Sequence, residues 1–463
     1  MLRAAKAVED AGVPAVTIVS SGFMAQARAI RKAIGAPDLQ IAEYPGVIPL
    51  DSPAQFEEKV RTVLLRSALE NLRTEVVETK TAAEPFPEDI VFRGNFDEVQ
   101  EFFHTREWSD GAAIVPPTSE RVEAFLRWTD YDRNKVLGVL APEYREASVL
   151  SVAVNGVMAG CRPEYMPVLI AAVEAICDPH FRIEDAGSTP GWEPMIVVSG
   201  AVVDQLGFNT EVGSMRVGRR ANTSIGRFLR LYFRNVAGLR PGGTDKGSIG
   251  LGFNVAMAEN EKAVVELGWP SHREDRGYTR EDSVVTVRSV LAISPPVYSA
   301  GTDPKDLAWP IVNNLAGTTW GWFITGLYFN QWHPLILMSP SVAGGFARAG
   351  WSKNDIRKFL FDNARIDAGT LERYSEAVFG NRIVISELAK HAKFDPLFTG
   401  SSDLARRVPM LLNEASTDIV VGGDPARNQS KIYLNNQEQG APVSRKVALP
   451  VGWNERIAAA GQR

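Results

Sequence analysis

Cysteine is scarce. The chain has two in 463 residues, Cys161 and Cys177. That is too few for a disulfide framework, and neither stands in a CxxC or CxxH spacing, which excludes a disulfide-stapled secreted fold and a zinc ribbon. The five histidines form no HxxxH or HExxH group, so no metal site is implied by motif. Basic charge is not in excess either: 50 Lys+Arg against 55 Asp+Glu give a net charge of −5, which argues against a nucleic-acid partner. Long apolar runs are missing as well. The most apolar stretch, 315–338, is broken by Gly317, Gly321, Gly326, Asn330, Gln331, His333 and Pro334, and reads as a buried helix followed by a strand rather than a membrane span. Residues 2–12 carry an amphipathic helical pattern in place of a charged-then-apolar leader. The expectation is a cytoplasmic protein in a reducing compartment, with no nucleic-acid and no membrane partner.

The length allows two to four domains. Residues 1–80 read as α/β: a helix, a buried strand at 13–20 (VPAVTIVS), a helix closed by Gly35, a second strand in LQIAEYPG, and a long charged helix over 53–79. Two parallel strands are too few for a sheet covered on both faces. This half-domain therefore needs completion by another chain or another domain, and a homo-oligomer is compatible with the same pattern. TAAEPFPED opens a proline-bearing linker, 81–107. A larger α/β domain, 108–463, follows. Pro-Glu-Tyr occurs in it twice, at 142–144 and 163–165, and three shared residues do not establish a repeat. More telling are three segments of one plan, an apolar run, then serine, then a helix opening: VPAVTIVSSGFMAQARA, EPMIVVSGAVVDQLG and HPLILMSPSVAGGFARAG. Serine is a good cap, so strand–helix junctions resemble one another anyway. The alternative is that helix N-termini converge where anions bind, which makes Ser199 and Gly200 candidates.

The stretch NGVMAGCRPEYMPVLIAAVEAICDP places Cys161 ahead of a helix whose apolar face is Met166, Leu169, Ile170, Val173 and Ile176. A helix N-terminus and neighbouring Arg162 would favour a thiolate there. A small buried residue that simply packs is the competing reading. In 209–240 a glycine- and arginine-rich loop precedes a helix capped near Asn222 or Thr223. Arg216, Arg219, Arg220 and Arg227, with Asn222, could hold a carboxylate or phosphate, or Arg227, Arg230 and Arg234 could form a solvated, paired face. PGGTDKGSIGLGFNVAMAENE matches neither a P-loop nor a clean GxGxxG, so no cofactor is implied by motif. It ends in Glu259 and Glu261, which with His272 in GWPSHREDRGY are candidate proton-transfer groups. Ser352 with Asp355 reads as a capping box. Gly422-Gly423 ends a last buried strand and permits close approach of a ligand, or a tight turn.

Read together, NGVMAGCRPEYMPVLIAAVEAI, RANTSIGRFLRLYFRNVAG, the PG-x-x-D-x-x-x-x-G…AENE stretch, GWPSH-x5-GY and AGWSK-x-DIRKFL resemble the large domain of the UGSC-motif (seleno)protein family, from about residue 108 onward. Residues 1–72 resemble the second half of its small UGSC-type domain. The resemblance implies a thiol- or selenol-dependent enzyme. The Cys/Sec-Gly-Ser-Cys motif itself is absent, so a partner chain carries it or the function has shifted. The sequence also departs at Ser339-Pro340-Ser341-Val342-Ala343, where relatives tend to carry an acidic residue and a histidine. The leading expectation is the large subunit of a thiol/selenol-dependent oxidoreductase acting on a small anionic metabolite, with Cys161 as nucleophile or resolving thiol. The alternatives are a hydrolase or lyase using backbone N–H groups and His272 without a thiol, and a non-catalytic scaffold for a catalytic partner.

Overall fold

The computed structural model describes residues 1–73, 88–187, 189–252, 255–379, 382–391 and 394–460. In the N-terminal unit, helix α1 (Leu2–Asp10), strand β1 (Val16–Ser20), helix α2 (Met24–Ala33) and strand β2 (Gln40–Tyr44) are followed by α3 (Pro53–Lys59), a π-helical turn (Val60–Leu64) and α4 (Leu65–Asn71). β1 and β2 pair in parallel, Val16 opposite Gln40 through Ser20 opposite Tyr44. Leu2, Val19, Ala27, Ile34 and Leu39 form the core on one side of this ribbon, and Ala42, Tyr44 and Leu64 on the other. The parallel two-stranded sheet is the expected one. The continuous burial expected of the first strand is not seen: Ile18 at its centre is 43% exposed, because two strands are too narrow to shield both faces. The long helix ends at Asn71, and 74–79 lie outside the described residues.

Of the stretch read as linker, 81–87 also lie outside the described residues, while 96–105 form helix α5 (Phe96–Thr105), started by an Asn95/Glu98 capping box. Its Phe103 enters the main core. Helix α6 (Ser119–Leu126), the hairpin β3 (Val136–Leu140) and β4 (Arg145–Ser148), and helices α7 (Val149–Met158) and α8 (Met166–Ile176) lead into β5 (Glu193–Ser199). The two Pro-Glu-Tyr copies differ in structure, one closing the β3–β4 hairpin and the other forming a 3-10 turn before α8. The chain continues through α9 (Val202–Gln205), α10 (Arg220–Tyr232), β6 (Met257–Ala258), α11 (Glu261–Leu267), α12 (His272–Asp275), β7 (Val284–Val290), β8 (Ala292–Ile293) and β9 (Val297–Tyr298). Then come α13 (Pro304–Phe329), β10 (Leu335–Met338), α14 (Pro340–Arg348) and α15 (Lys353–Asn363). A small ribbon of β11 (Arg365–Asp367) and β12 (Arg407–Pro409), and strands β13 (Asp418–Val421), β14 (Gln429–Leu434) and β15 (Val443–Lys446), complete the part that matters here. No helix among the described residues is long and apolar enough to cross a membrane.

Two sheets dominate the large unit, one ordered β15-β7-β5-β6 and the other β13-β10-β14-β8, with β9 also on β14. They are built alike. β6 is parallel to β5 as β13 is to β10, and β7 is antiparallel to β5 as β14 is to β10. The period of two in a strand divides each one between two cores. Ile196, Val198, Val285 and Val287 face α7, α8 and α10, whereas Ile336, Met338, Ile419 and Val421 face α13, α14 and α15. The alternate residues, Met195, Val197, Leu335, Leu337, Val420 and Tyr433, share a third, smaller core between the sheets. The layers thus run helix, sheet, sheet, helix. This arrangement brings the carboxyl ends of β6 and β13 together, where Asn260 N–H donates to Val421 O at 2.8 Å.

Candidate functional site

Three groups of the expected residues are brought together, and they lie in three places. The first is at the end of the second sheet. In the antiparallel register Leu337 stands opposite Lys431, so Leu337, Lys431 and Tyr433 share the face turned toward the other sheet. With the loop carrying Met215 and Arg216, and the turn 422–427, they line a cavity of about 380 Å³. Arg216, Arg427 and Lys431 all border it. None of the three has an ion-pair partner among the described residues, in contrast to Arg227, Arg230 and Arg240. Asp424 also lines the cavity; its Oδ1 accepts from Ala426 N–H at 2.9 Å and shapes the turn. The backbone of Arg427 is held by two hydroxyls, since Ser339 Oγ and Ser341 Oγ both donate to its carbonyl, the latter at 2.6 Å. Gly422 and Gly423 are where expected, but their N–H groups are committed to Met338 O at 2.9 Å and Thr210 O at 2.8 Å. Side chains, not backbone N–H groups, supply the positive charge here. Arg427 and Lys431 were passed over in the sequence, although both follow the glycine pair within nine positions.

The second place is a closed ionic cluster beside β6 and β13. Glu259 follows β6 directly, and its Oε2 accepts from the backbone N–H of His272 at 2.6 Å. The Ser271/Glu274 capping box fixes the start of α12 and so places His272. Lys353, at the start of α15, lies 3.7 Å from Glu259 Oε1 and 3.0 Å from Asp275. On the far side, Arg288 donates to Asp418 at 3.0 Å, and His272 Nε2 is 3.8 Å from the same carboxylate. Glu259, His272, Lys353 and Arg288 are each at most 1% exposed. Among the described residues, neither ring nitrogen of His272, nor Glu259 Oε1, has a hydrogen-bond partner. Burial raises the Glu259 pKa, with Lys353 and His272 pulling the other way. Burial would also raise Asp418, but His272, Arg288 and Arg276 hold it well below the usual carboxylate range. Glu261 accepts from Gly200 N–H and from Arg273. The N–H at the Ser199-Gly200 junction is therefore satisfied by the protein's own carboxylate.

The third place is the mouth of α8. Cys161 is 5% exposed, and the expected thiolate is not what the surroundings favour. Gly160, with φ of +78°, ends α7, and Cys161 N–H donates to Gly156 O at 3.1 Å while Gly160 N–H donates to Val157 O at 2.9 Å. This is a Schellman closure. The cysteine thus sits at the negative end of α7 as well as ahead of α8, and the two dipoles oppose each other. Burial pushes the thiol pKa up to about 12, against the smaller opposite pull of Ser224, Arg220 and Arg227. Gly160 was the available signal. The surrounding arginines are structural. Arg227 grips Asp110 through two bonds at 2.9 and 2.8 Å, Arg220 donates to Gly160 O at 3.1 Å, and Arg162 lies 3.5 Å from Glu164. Arg219, not Asn222 or Thr223, is the cap residue of α10. Asn222 is fully buried; it accepts from Asn209 N–H and donates to Asn209 O and Ala256 O, which leaves its amide no part in anion binding.

Chemically, the cation-lined cavity can hold a small anion, whereas Glu259 meets the backbone N–H of His272 and not its ring, so their contact holds the start of α12 and is not itself a proton-transfer pair. Among the described residues no group of three or more His, Cys, Asp or Glu is placed to hold a metal ion. Residues 1–73 match the model of the UGSC family, in agreement with the resemblance read from residues 1–72; from 108 onward that resemblance rests on the motifs alone. No curated protein and no solved structure matches the chain.

Proposed function

We propose that this chain is the large subunit of a cytoplasmic, thiol- or selenol-dependent oxidoreductase. It acts on a small anionic metabolite, with the reactive sulfur or selenium supplied by a partner chain that carries a UGSC-type motif. One observation carries the anion part, the convergence of three cations without ion-pair partners on one cavity. The match over residues 1–73, together with a parallel sheet of two strands whose central Ile18 is exposed, supports a partner that extends that sheet. Cys161, protonated and closed in, takes a packing role in this reading.

The test is co-expression with neighbouring genes followed by native mass spectrometry and activity screening. A heteromer is expected, active with Cys161→Ala and inactivated by alkylation of the partner. A chain that is folded and active alone would remove the partner from the proposal. The thiol-free hydrolase or lyase is favoured by a different observation, the buried His272 ring nitrogens and Glu259 Oε1 that have no hydrogen-bond partner among the described residues. Activity that resists iodoacetamide, and falls in a folded His272→Asn variant, would select it.

A further inference from the structure

The cavity beside β10 and β14 has two unlike surfaces. Its charged lining is Arg216, Arg427 and Lys431 against one carboxylate, Asp424, and its apolar lining is Leu337, Tyr433 and Ile293 with Met215. The apolar lining belongs to the small core between the sheets, so it continues an apolar layer rather than a polar network. Sites for phosphate usually present several free backbone N–H groups. Here the two glycines that could have done so donate elsewhere. The open space beside Gly423, whose φ is +98° and where an added Cβ would meet nothing within 4 Å, leaves room without adding a donor.

We propose that this cavity takes a small organic carboxylate with an apolar body, in preference to phosphate or a fully polar acid. The proposal rests on the anion-site reading above and narrows it to a substrate class. The carboxylate meets Arg427 and Lys431, whose charge-assisted bonds carry the electrostatic part. The body lies on Leu337, Tyr433 and Ile293, where removal of apolar surface from water supplies the rest. A size near 380 Å³ falls at the lower end of small-molecule sites.

The test is isothermal titration calorimetry of the full chain at low ionic strength with phenylacetate, acetate, inorganic phosphate and phenylacetamide. Phenylacetate is expected to bind, more weakly as salt is raised. Acetate and phosphate should bind at least about tenfold more weakly, and phenylacetamide not measurably. Arg427→Ala and Lys431→Met should each weaken phenylacetate by about tenfold, and Ile293→Asn should erase its advantage over acetate. If acetate and phosphate bind as tightly as phenylacetate and lose affinity with Arg427→Ala, the apolar-body inference fails while the anion site stands. If no acid binds, or phenylacetate binding ignores both cation variants, both fail.

Discussion

Asp418→Asn should be among the most damaging single changes in the second sheet, and the structure gives its size. Arg288 is 1% exposed in the middle of β7 and donates to Asp418 at 3.0 Å and to the His333 carbonyl. Burial draws the Arg288 pKa down to about 10, and Asp418 is the group that favours its charge. With asparagine at 418 the guanidinium keeps a hydrogen-bond acceptor but loses its counter-charge. Leaving one member of a buried pair alone costs about 3–5 kcal/mol. The remaining amide places this case near the low end. In a chain of this length, differential scanning calorimetry should show the transition roughly 3–10 °C lower. Because the folded pKa of Asp418 is depressed, its stabilisation is present above the unfolded carboxylate value and is lost as pH falls through the folded one. The gap between wild type and Asp418→Asn should therefore begin to narrow below about pH 4 and go on narrowing as pH falls further. Adding Arg288→Met removes the stranded charge, and the double variant should recover most of the loss. A single variant that shifts the transition by less than about 1 °C, or a double variant whose cost is the sum of the two singles, would refute the pairing argument.

Cys161 should resist iodoacetamide at pH 8 in the native chain and react on unfolding, since a thiol pushed up to about 12 holds almost no thiolate there; fast native labelling seen by peptide mass spectrometry would contradict its burial. Asp178→Asn should lower stability at neutral pH and leave it unchanged near pH 2. Burial would raise Asp178, but the His180 N–H and Arg445 bring it down to about 2, so its contribution exists above the unfolded value and vanishes as pH falls through the folded one; a constant loss across pH 2–7 in thermal melts would show that another effect dominates. Asn222→Ala should cost about 2–4 kcal/mol, because one buried amide joins the 209 loop and Ala256, just before β6, to α10; an unchanged melting temperature would mean that those loops are held elsewhere.

What was legible in the sequence was local. The apolar spacing from Met166 to Ile176 became α8, the Ser352/Asp355 pair became a capping box, and Gly238 closes the helical run that begins with α10, at φ +81°. What was not legible depended on partners far along the chain. Arg227, Arg230 and Arg234 form a stripe on a helical wheel, but their partners, Asp110, Glu193 and Glu107, come from segments that no wheel displays. The same holds for Cys161, where the mouth of α8 was visible and the enclosing core was not. Lys431 was hidden differently: as one polar residue in an alternating strand it looks like a solvent-facing position, and only the register with Leu337 turns it toward the cavity.

Two of the three strand–serine–helix junctions, those after β5 and β10, carry more than the habit of serine to cap helices. Each sheet has the same order, and each borrows its fourth strand from the other half. β8 follows β7 after one residue and pairs with β14, while β15 follows β14 and pairs with β7. The correspondence extends to Gly268-Trp269-Pro270-Ser271-His272 and Gly350-Trp351-Ser352-Lys353. Trp269 Nε1 donates to the Trp351 carbonyl at 3.1 Å, both serines cap a helix, and the next residue of each meets Glu259, His272 by its backbone N–H and Lys353 by its ammonium. Where the halves differ is therefore informative. At the end of β5 the Gly200 N–H is taken by Glu261, itself paired with Arg273, so the positive group there is neutralised from within. At the end of β10, Pro340 has no N–H to offer, Ser339 and Ser341 instead fix the Arg427 turn, and among the described residues no carboxylate forms an ion pair with Arg216, Arg427 or Lys431, although Asp424 lines the same cavity. One half supplies its own anion and the other does not, which is why an external carboxylate is expected at the second sheet and not at the first.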